Sequence, residues 1–238
     1  MIILQTVKSY SLQFLAGQKT GENMMMEKYW ELRLENCKSA LEKNNFDAFI
    51  AQTPSDAKEI VIDRILPGMD IKSVSWGDSL TLYETDILQY FRERPGTKLI
   101  ETFGENLSRA KSMERRREAI LTDLFFTGTN AVVESGKLVN LDMIGNRVGG
   151  VTFGPKFVVI MVGRNKIVSS LEEAMNRVKD IAAPANAIRH AKNTPCTKTS
   201  YCMDCNSPDR ICNIWTIHEK SYPKGRIKVI LINRDLGL

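Results

Sequence analysis

Residues 124–168 constrain the fold of this chain more than any other part of the sequence. Residues 157–162 form a continuous apolar run of strand length, which is typical of a strand buried on both faces of a sheet. Ahead of it, residues 131–134 and 137–141 are two shorter β-prone runs joined by the turn dipeptide Ser135-Gly136. That pattern predicts a β-hairpin beside a buried strand.

A glycine-rich loop is predicted between the hairpin and the apolar run, over residues 142–155. Asn146 and Arg147 lie within it and supply amide and guanidinium donors that suit a carboxylate or a phosphate. Glycine lets the backbone approach a ligand closely, although it serves equally well where a chain takes tight corners beside a strand. The loop contains four glycines: Gly145, Gly149, Gly150 and Gly154.

Three strand-then-helix units precede this region. The strands are predicted at residues 46–51, 71–76 and 98–103, and the helices at residues 53–66, 80–94 and 106–122. This alternation indicates a parallel sheet with helices on both faces. An earlier helix, over residues 27–43, carries one apolar stripe formed by Trp30, Leu34, Cys37 and Leu41. Cys37 is therefore expected to be a buried, inert thiol.

The remainder of the chain alternates turns, one helix and strands. Residues 163–165 are expected to turn the chain back towards residues 167–168. A capping box at Ser170 then predicts a helix that Pro184 breaks. The last strands are predicted over residues 213–219 and 226–233.

The turn after the second predicted strand is a candidate anion site. Gly77, Ser79 and Thr81 place backbone N–H groups and two hydroxyls at the start of the predicted helix over residues 80–94. An ordinary helix cap made by Asp78 or Ser79 would leave the same pattern. Ligands of open α/β sheets bind beyond the carboxyl ends of the strands, so this turn and the glycine-rich loop are expected to form one pocket.

Four cysteines make the strongest local pattern. Cys196, Cys202, Cys205 and Cys212 follow the spacing C-x5-C-x2-C-x6-C within residues 194–213. Four soft ligands this close together match a four-cysteine zinc site or a [4Fe–4S] cluster, and one C-x2-C pair flanked by single cysteines is nearer to cluster spacing. Four free surface thiols are the alternative. Lys198 and Arg210 would favour thiolates at this place.

The motifs resemble those of the LUD (lactate-utilization) domain family. The resemblance rests on T-G-T-N-A-V-V-E-S-G-K-L-V-N at residues 127–140, the G-N-R loop at residues 145–147 and F-V-V-I-M-V-G-R-N-K-I-V at residues 157–168. It runs from about Met26 to the C-terminus. It implies a three-layer α/β fold of the ribose-phosphate isomerase/CoA-transferase-like type, with a mostly parallel sheet, helices on both faces and additional β-hairpins.

The same resemblance gives Glu134 a possible role. In the CoA-transferase relatives a nucleophilic glutamate stands in a similar Glu-x-Gly turn, and a carboxylate nucleophile can form an anhydride with a thioester. A solvent-facing hairpin residue is the simpler interpretation. Ser135 stands where those relatives usually carry asparagine, which weakens the case for transferase chemistry.

Charge and composition exclude some classes of protein. The net charge of +5 is spread along the chain, and Glu114 and Glu118 interrupt its most basic run, residues 111–117, so a nucleic-acid partner is not expected. No apolar run approaches the roughly 20 residues that cross a bilayer. Lys8 interrupts the apolar N-terminus, so a secretory signal is not expected, and the predicted location is the cytoplasm.

The sequence thus predicts an N-terminal extension over residues 1–25 and an α/β domain over residues 26–238. The leading hypothesis is a lactate-utilization-type protein with an anion-binding pocket and a [4Fe–4S] cluster or zinc site. It would take part in oxidation of lactate or a related 2-hydroxy acid, together with iron–sulfur and flavin partner proteins. The alternatives are an acyl or CoA transferase that uses Glu134, and a non-catalytic assembly subunit stabilised by its metal.

Overall fold

The computed structural model describes residues 24–103 and 107–238. The predicted N-terminal extension falls almost entirely on residues 1–23, outside this range. The chain forms three layers around a parallel sheet, with helices on both faces and a second, smaller sheet. The predicted three-layer α/β fold is confirmed.

Six strands form the central sheet, and every neighbouring pair is parallel. They are β1 (Asp47–Ala51), β2 (Ser73–Trp76), β3 (Lys98–Ile100), β4 (Leu124–Gly128), β7 (Phe157–Gly163) and β10 (Ile227–Ile232). Their spatial order is β1-β10-β7-β4-β2-β3. Residues 158–162 of β7 are fully buried, as a continuous apolar run in a central parallel strand requires. The pattern analysis did not single out β4.

Four strands form the second sheet. They are β5 (Ala131–Val133), β6 (Lys137–Asp142), β8 (Ile167–Val168) and β9 (Ile214–His218), in the order β8-β5-β6-β9. The antiparallel β5–β6 pair is the expected hairpin, and Gly136 takes a positive φ of 80° in its turn. The chain does turn after β7, but β8 pairs with β5 in this second sheet instead of folding back on β7.

Helices cover one face of the central sheet between consecutive strands. Pro at the first turn and a Thr53–Asp56 capping box start α2 (Pro54–Ile60), which a π turn extends through Ile65. The next connection contains α3 (Leu80–Tyr83) and α4 (Ile87–Glu93). Their apolar side chains pack on this face against β2, β4, β7 and β10.

The opposite face of the central sheet is covered by α1 (24–43), α5 (Arg109–Ala119) and α6 (Asn146–Thr152). The helix α1 buries Leu34, Cys37 and Leu41, as its stripe predicts. Beyond the second sheet, α7 (Leu171–Arg177) and α8 (Ala183–Arg189) form one continuous helix. A single-turn helix, α9 (Cys196–Thr199), follows.

Three local predictions were wrong in ways that matter for the site. The helix predicted over residues 80–94 is divided, because the chain leaves the helix after α3 and Asp86 takes a left-handed conformation. The loop predicted over residues 142–155 contains α6, capped by Gly145. Pro184 does not break its helix, since the π turn at Val178–Ala182 accommodates the missing N–H in the turn before it.

None of the helices in the described ranges combines the length and the hydrophobicity that a membrane crossing needs.

Candidate functional site

A cavity of about 580 Å³ lies at the carboxyl edge of the central sheet. The chain runs from β2 to β3 on one side and then returns past β2 to β4, so the loops that follow β2 and β4 diverge. Such a switch in strand order leaves a crevice outside the carboxyl ends of parallel strands. Asp78 and Ser79 line it after β2, and Gly128 and Asn130 line it after β4.

The cavity wall carries an excess of positive charge. Among the lining residues that the structure describes, the three aspartates Asp78, Asp142 and Asp209 stand against six cationic side chains. Those are Arg109, Arg116, Arg147, Lys166, Arg189 and Lys192. A concave site with this balance of charge attracts anions.

Arg147 lines the cavity, but its guanidinium is occupied by the protein itself. Its Nε donates to the Asp142 carboxylate at 3.1 Å, and its Nη1 and Nη2 donate to Asn140 Oδ1 at 2.6 Å and Asn130 Oδ1 at 3.0 Å. Two backbone carbonyls, those of Gly128 and Leu141, accept the other two N–H groups. An arginine has five N–H donors, so all are used. Arg147 therefore has no free donor for an anion, contrary to the prediction. Its role in this structure is to connect α6 to both sheets.

The remaining predicted pocket residues divide into two groups. Ser79, the N-cap of α3, and Asn146, the first residue of α6, line the cavity. Gly77 and Thr81 lie behind the wall. A Cβ on Gly77 would come within 2.9 Å of Thr127 Oγ1 and 3.0 Å of Arg147 Cγ, so this glycine makes room for the arginine. Because α3 has one turn only, its dipole at Ser79 is weak.

Lys166 is a cavity residue that the sequence analysis missed. It ends the short 3₁₀ turn after β7, only 4% of its surface is exposed, and its Nζ donates to Thr81 Oγ1 at 2.9 Å. Burial lowers the pKa of this amine to about 7, and the nearby charges of Arg177 and Arg147 act in the same direction. Its position in a strand-like G-R-N-K-I-V segment gave no signal of burial at a site.

Asp78 closes one side of the cavity by joining the β2–α3 turn to the end of α8. Its carboxylate accepts hydrogen bonds from Arg189, and His190 Nε2 lies 3.0 Å from Oδ2. Tyr83 donates to the same carboxylate at 3.1 Å. Burial opposes its ionisation, but these partners outweigh burial and hold the pKa of Asp78 below its usual value. The sequence pattern around Asp78 indicates a helix cap and gives no sign of these partners.

The four cysteines of the segment at residues 194–213 line a second, smaller cavity of about 20 Å³. Arg210 organises this segment, because it donates to the carbonyls of Cys205 at 2.6 Å and Cys212 at 3.0 Å and to the Asp204 carboxylate. Burial raises the pKa of the Cys212 thiol, although Arg210 is close to it. The small cavity shares two wall residues, Ala183 and Ile211, with the large one.

The side chains of this segment are suitable metal ligands, but they are not arranged around a common point in this structure. Four thiols at one cavity are suitable ligands for zinc or for an iron–sulfur cluster. However, the described ranges contain no group of three or more His, Cys, Asp or Glu side chains that is already arranged to hold a metal ion. A cavity of this volume admits one water-sized group, so a cluster needs the segment to open further than a single zinc ion does.

Glu134 does not line the large cavity. Its carboxylate lies 2.6 Å from Arg33 Nε on α1, and its backbone N–H donates to the Val168 carbonyl. The hairpin turn that carries it packs on α1, while the opposite end of the hairpin, at Asn130, borders the cavity. Four residues of extended chain separate the two positions by roughly 13 Å. The expectation that Glu134 stands at the pocket's edge is therefore corrected.

Comparison with known proteins assigns the family. The LUD domain matches residues 34–232, which include both cavities' principal side chains. This chain belongs to the LUD domain family. A solved structure of a DUF162 family protein from Deinococcus radiodurans aligns over 86% of this chain and 98% of its own, with 14% identity and a TM-score of 0.47. No curated protein matches the chain.

Family membership makes this a lactate-utilization-type protein. The cysteine segment, residues 194–213, lies within the residues that the LUD domain matches. Its contact with α8 brings the thiols beside the cavity at the carboxyl edge of the LUD domain's parallel sheet.

Proposed function

We propose that this LUD protein is a redox component of the oxidation of lactate or a related 2-hydroxy acid. In this proposal the large cavity binds the small carboxylate, and Cys196, Cys202, Cys205 and Cys212 hold a [4Fe–4S] cluster. The proposal rests on one observation: Ala183 and Ile211 line both the large cavity and the cavity of the four cysteines. A ligand and a cluster at these places would be neighbours within one domain.

The residues of the large cavity have defined tasks in this proposal. Arg109 and Arg116 provide positive charge, and Ser79 and Asn146 provide neutral donors for the carboxylate. Arg147 makes no contact with the ligand but keeps Asn130, Asn140 and Asp142 in place through its five hydrogen bonds. The link between Asp78 and Arg189 holds α8 against the sheet and limits the access of water.

The cysteines have a separate task. Their thiolates would ligate the iron, and Arg210 would hold the carbonyls of Cys205 and Cys212 and offset the negative charge of the ligand set. When bound, an iron–sulfur cluster supplies one-electron transfer. Oxidation of a 2-hydroxy acid to a 2-oxo acid releases two electrons and two protons. The proposal therefore includes a flavin partner protein, which handles electron pairs, and further iron–sulfur partners, all in the cytoplasm.

Anaerobic reconstitution with iron and sulfide tests the cluster. We expect about four iron atoms per chain and broad visible absorption that dithionite bleaches. Cys205→Ser should lose this absorption, whereas the matched variant Cys37→Ser should keep it, because Cys37 is buried in α1 far from the segment. Stoichiometric zinc without iron would overturn the redox proposal and leave a structural metal that stabilises the segment.

Calorimetric titration with lactate tests the cavity. Binding should weaken about tenfold in Asn146→Ala, since a hydrogen bond to a charged group contributes roughly 1.5–3 kcal/mol. Glu134→Gln should bind lactate as the wild type does, because Glu134 pairs with Arg33 away from the cavity. If the wild type turns over a CoA thioester and Glu134→Gln does not, the result would instead support acyl transfer.

A further inference from the structure

Lys166 has a combination of properties that lactate binding alone does not require. The residue lines the large cavity, and its buried amine donates to one neutral acceptor, Thr81 Oγ1. Within the described residues, Lys166 forms no ion pair with a carboxylate. A buried ammonium group without a counter-ion is costly, so an amine in this setting is held partly in its neutral form.

The cations around Lys166 reinforce that state because they are themselves fixed. Arg147 spends its five donors on acceptors of its own, and Arg177 donates to the carbonyls of Asn130 at 2.6 Å and Asn165 at 3.1 Å. Neither guanidinium can move away or lose its charge. Together with burial they lower the pKa of Lys166 to about 7. Desolvation beside another cation is the arrangement that activates a lysine as a nucleophile.

We propose that Lys166 forms an imine with the carbonyl carbon of a 2-oxo acid bound in the large cavity, an inference that rests on the proposed carboxylate-binding role of that cavity. The Nζ lone pair attacks the carbonyl carbon and a C–N bond forms. The carbonyl oxygen then leaves as water with the two protons that the amine loses. No oxidant or reductant takes part in this condensation, and hydrolysis reverses it.

The surroundings of Lys166 suit this step. Thr81 Oγ1 accepts one amine hydrogen, and its own hydrogen is donated to the Leu236 carbonyl, so the hydroxyl is fixed as an acceptor towards the lysine. This orients the amine at the end of β7, where the cavity wall is formed. The remaining cationic lining, including Arg109 and Arg116, leaves positive charge for the ligand's carboxylate.

Reductive trapping tests the inference on the full chain. The protein is incubated with pyruvate and cyanoborohydride at pH 7.5, and the modified lysine is located by peptide mass mapping. We expect one adduct per chain, on Lys166. Incubation with lactate, which has the carboxylate but no carbonyl, should give no adduct and should slow labelling by pyruvate. Lys166→Arg should abolish the adduct, whereas Lys192→Arg, a half-buried lysine of the same cavity, should retain it.

The outcomes separate this inference from the proposed function. If lactate binds by calorimetry but pyruvate leaves Lys166 unmodified, the imine is wrong and the carboxylate site stands. If pyruvate labels Lys166 but lactate neither binds nor protects, the inference about the lysine holds and the proposed hydroxy-acid function fails. Adducts spread over surface lysines would also overturn the imine. Mapping uses the wild-type chain, so the result does not depend on whether a Lys166 variant folds.

Discussion

At the scale of single residues, Arg147 is the clearest case of a side chain whose partners decide its role. Arg147→Ala should lower the free energy of unfolding by about 2–4 kcal/mol, because it removes one hydrogen bond from each of Asp142, Asn140 and Asn130 and leaves Asp142 Oδ1 without a donor. Arg109→Ala, an exposed arginine of the same cavity, should cost less than about 0.5 kcal/mol. Urea unfolding of both variants measures the difference, and equal stabilities would contradict the structural role.

Lys166 makes a prediction about pH. The pKa of Lys166 is about 7 in the folded chain, against 10.5 for an ordinary lysine, so between these values the unfolded chain binds a proton that the folded chain does not. Stability of the wild type therefore rises with pH from about 7 towards 10.5, and the cost of burying the ammonium is fully present below pH 7. Lys166→Met should be stabilised relative to the wild type at pH 6, by a few kcal/mol at most, and this advantage should shrink by pH 9.5.

Thermal melts at pH 6, 8 and 9.5 measure this dependence. Lys192→Met, at another lysine of the same cavity, serves as the matched variant, and the change with pH should be larger for Lys166→Met than for this control. Loss of the Thr81 hydrogen bond lowers the stability of Lys166→Met by a similar amount at every pH. The test is therefore how the difference in melting temperature between variant and wild type changes with pH, and not its size at one pH. A parallel pair of curves for Lys166→Met and the wild type would show that the lysine is charged when folded.

At the scale of elements, the packing of the β5–β6 hairpin on α1 depends on one glycine. A Cβ on Gly136 would lie 2.6 Å from the carbonyl carbon and oxygen of Ala40, which are backbone atoms that cannot rotate away. Gly96 has nearly the same φ, 79° against 80°, but open space around it. Each alanine variant should cost about 1–2 kcal/mol for the left-handed conformation.

Gly136→Ala should therefore be distinctly less stable than Gly96→Ala, because it also pushes the hairpin from α1. We expect at least about 1 kcal/mol between the two variants in urea unfolding. The variant should also disturb the Arg33–Glu134 ion pair beside the turn. Equal destabilisation would mean that α1 adjusts to the added methyl group.

At the scale of the whole molecule, stability is expected to be uneven. The strands β4, β7 and β10 form the buried centre of the sheet, whereas residues 202–206 of the cysteine segment have no regular secondary structure. Hydrogen exchange followed by mass spectrometry should find the slowest amides in β7 and β10 and fast exchange across residues 200–213. Metal loading should slow exchange in that segment and leave the central strands unchanged. Uniform slowing over the whole chain would instead indicate that the metal stabilises the global fold.

Local patterns were sufficient for the layers of the fold. The apolar run at residues 157–162, the capping box at Thr53 and the turn dipeptide at Ser135 each specify a strand, a helix start or a hairpin through near neighbours. The stripe of α1 likewise identified Cys37 as buried. The family resemblance pointed to the same architecture, and the LUD domain match confirms the family.

The roles of the site residues depended on distant partners. Ser79, Asn146 and the four cysteines were predicted from their own chemistry, and each lines a cavity. Lys166 and the link between Asp78 and Arg189 were missed, because the partners in that link lie 111 residues apart and Lys166 lies 85 residues from Thr81. No local periodicity reports a contact over such a separation.

Apart from β4 and α6, the sequence by itself determined which segments become strands and helices, since hydrophobic period, caps and turn residues act within a few positions along the chain. Only the tertiary structure decided which polar groups remain available to a ligand. Arg147 and Glu134 both carry groups that could act on a ligand. However, Arg147 is paired with Asp142 and its neighbours, and Glu134 is paired with Arg33. Lys166 is left with one neutral acceptor inside a cationic cavity. Burial and long-range pairing set the charge and the freedom of a side chain, and both are properties of the assembled fold.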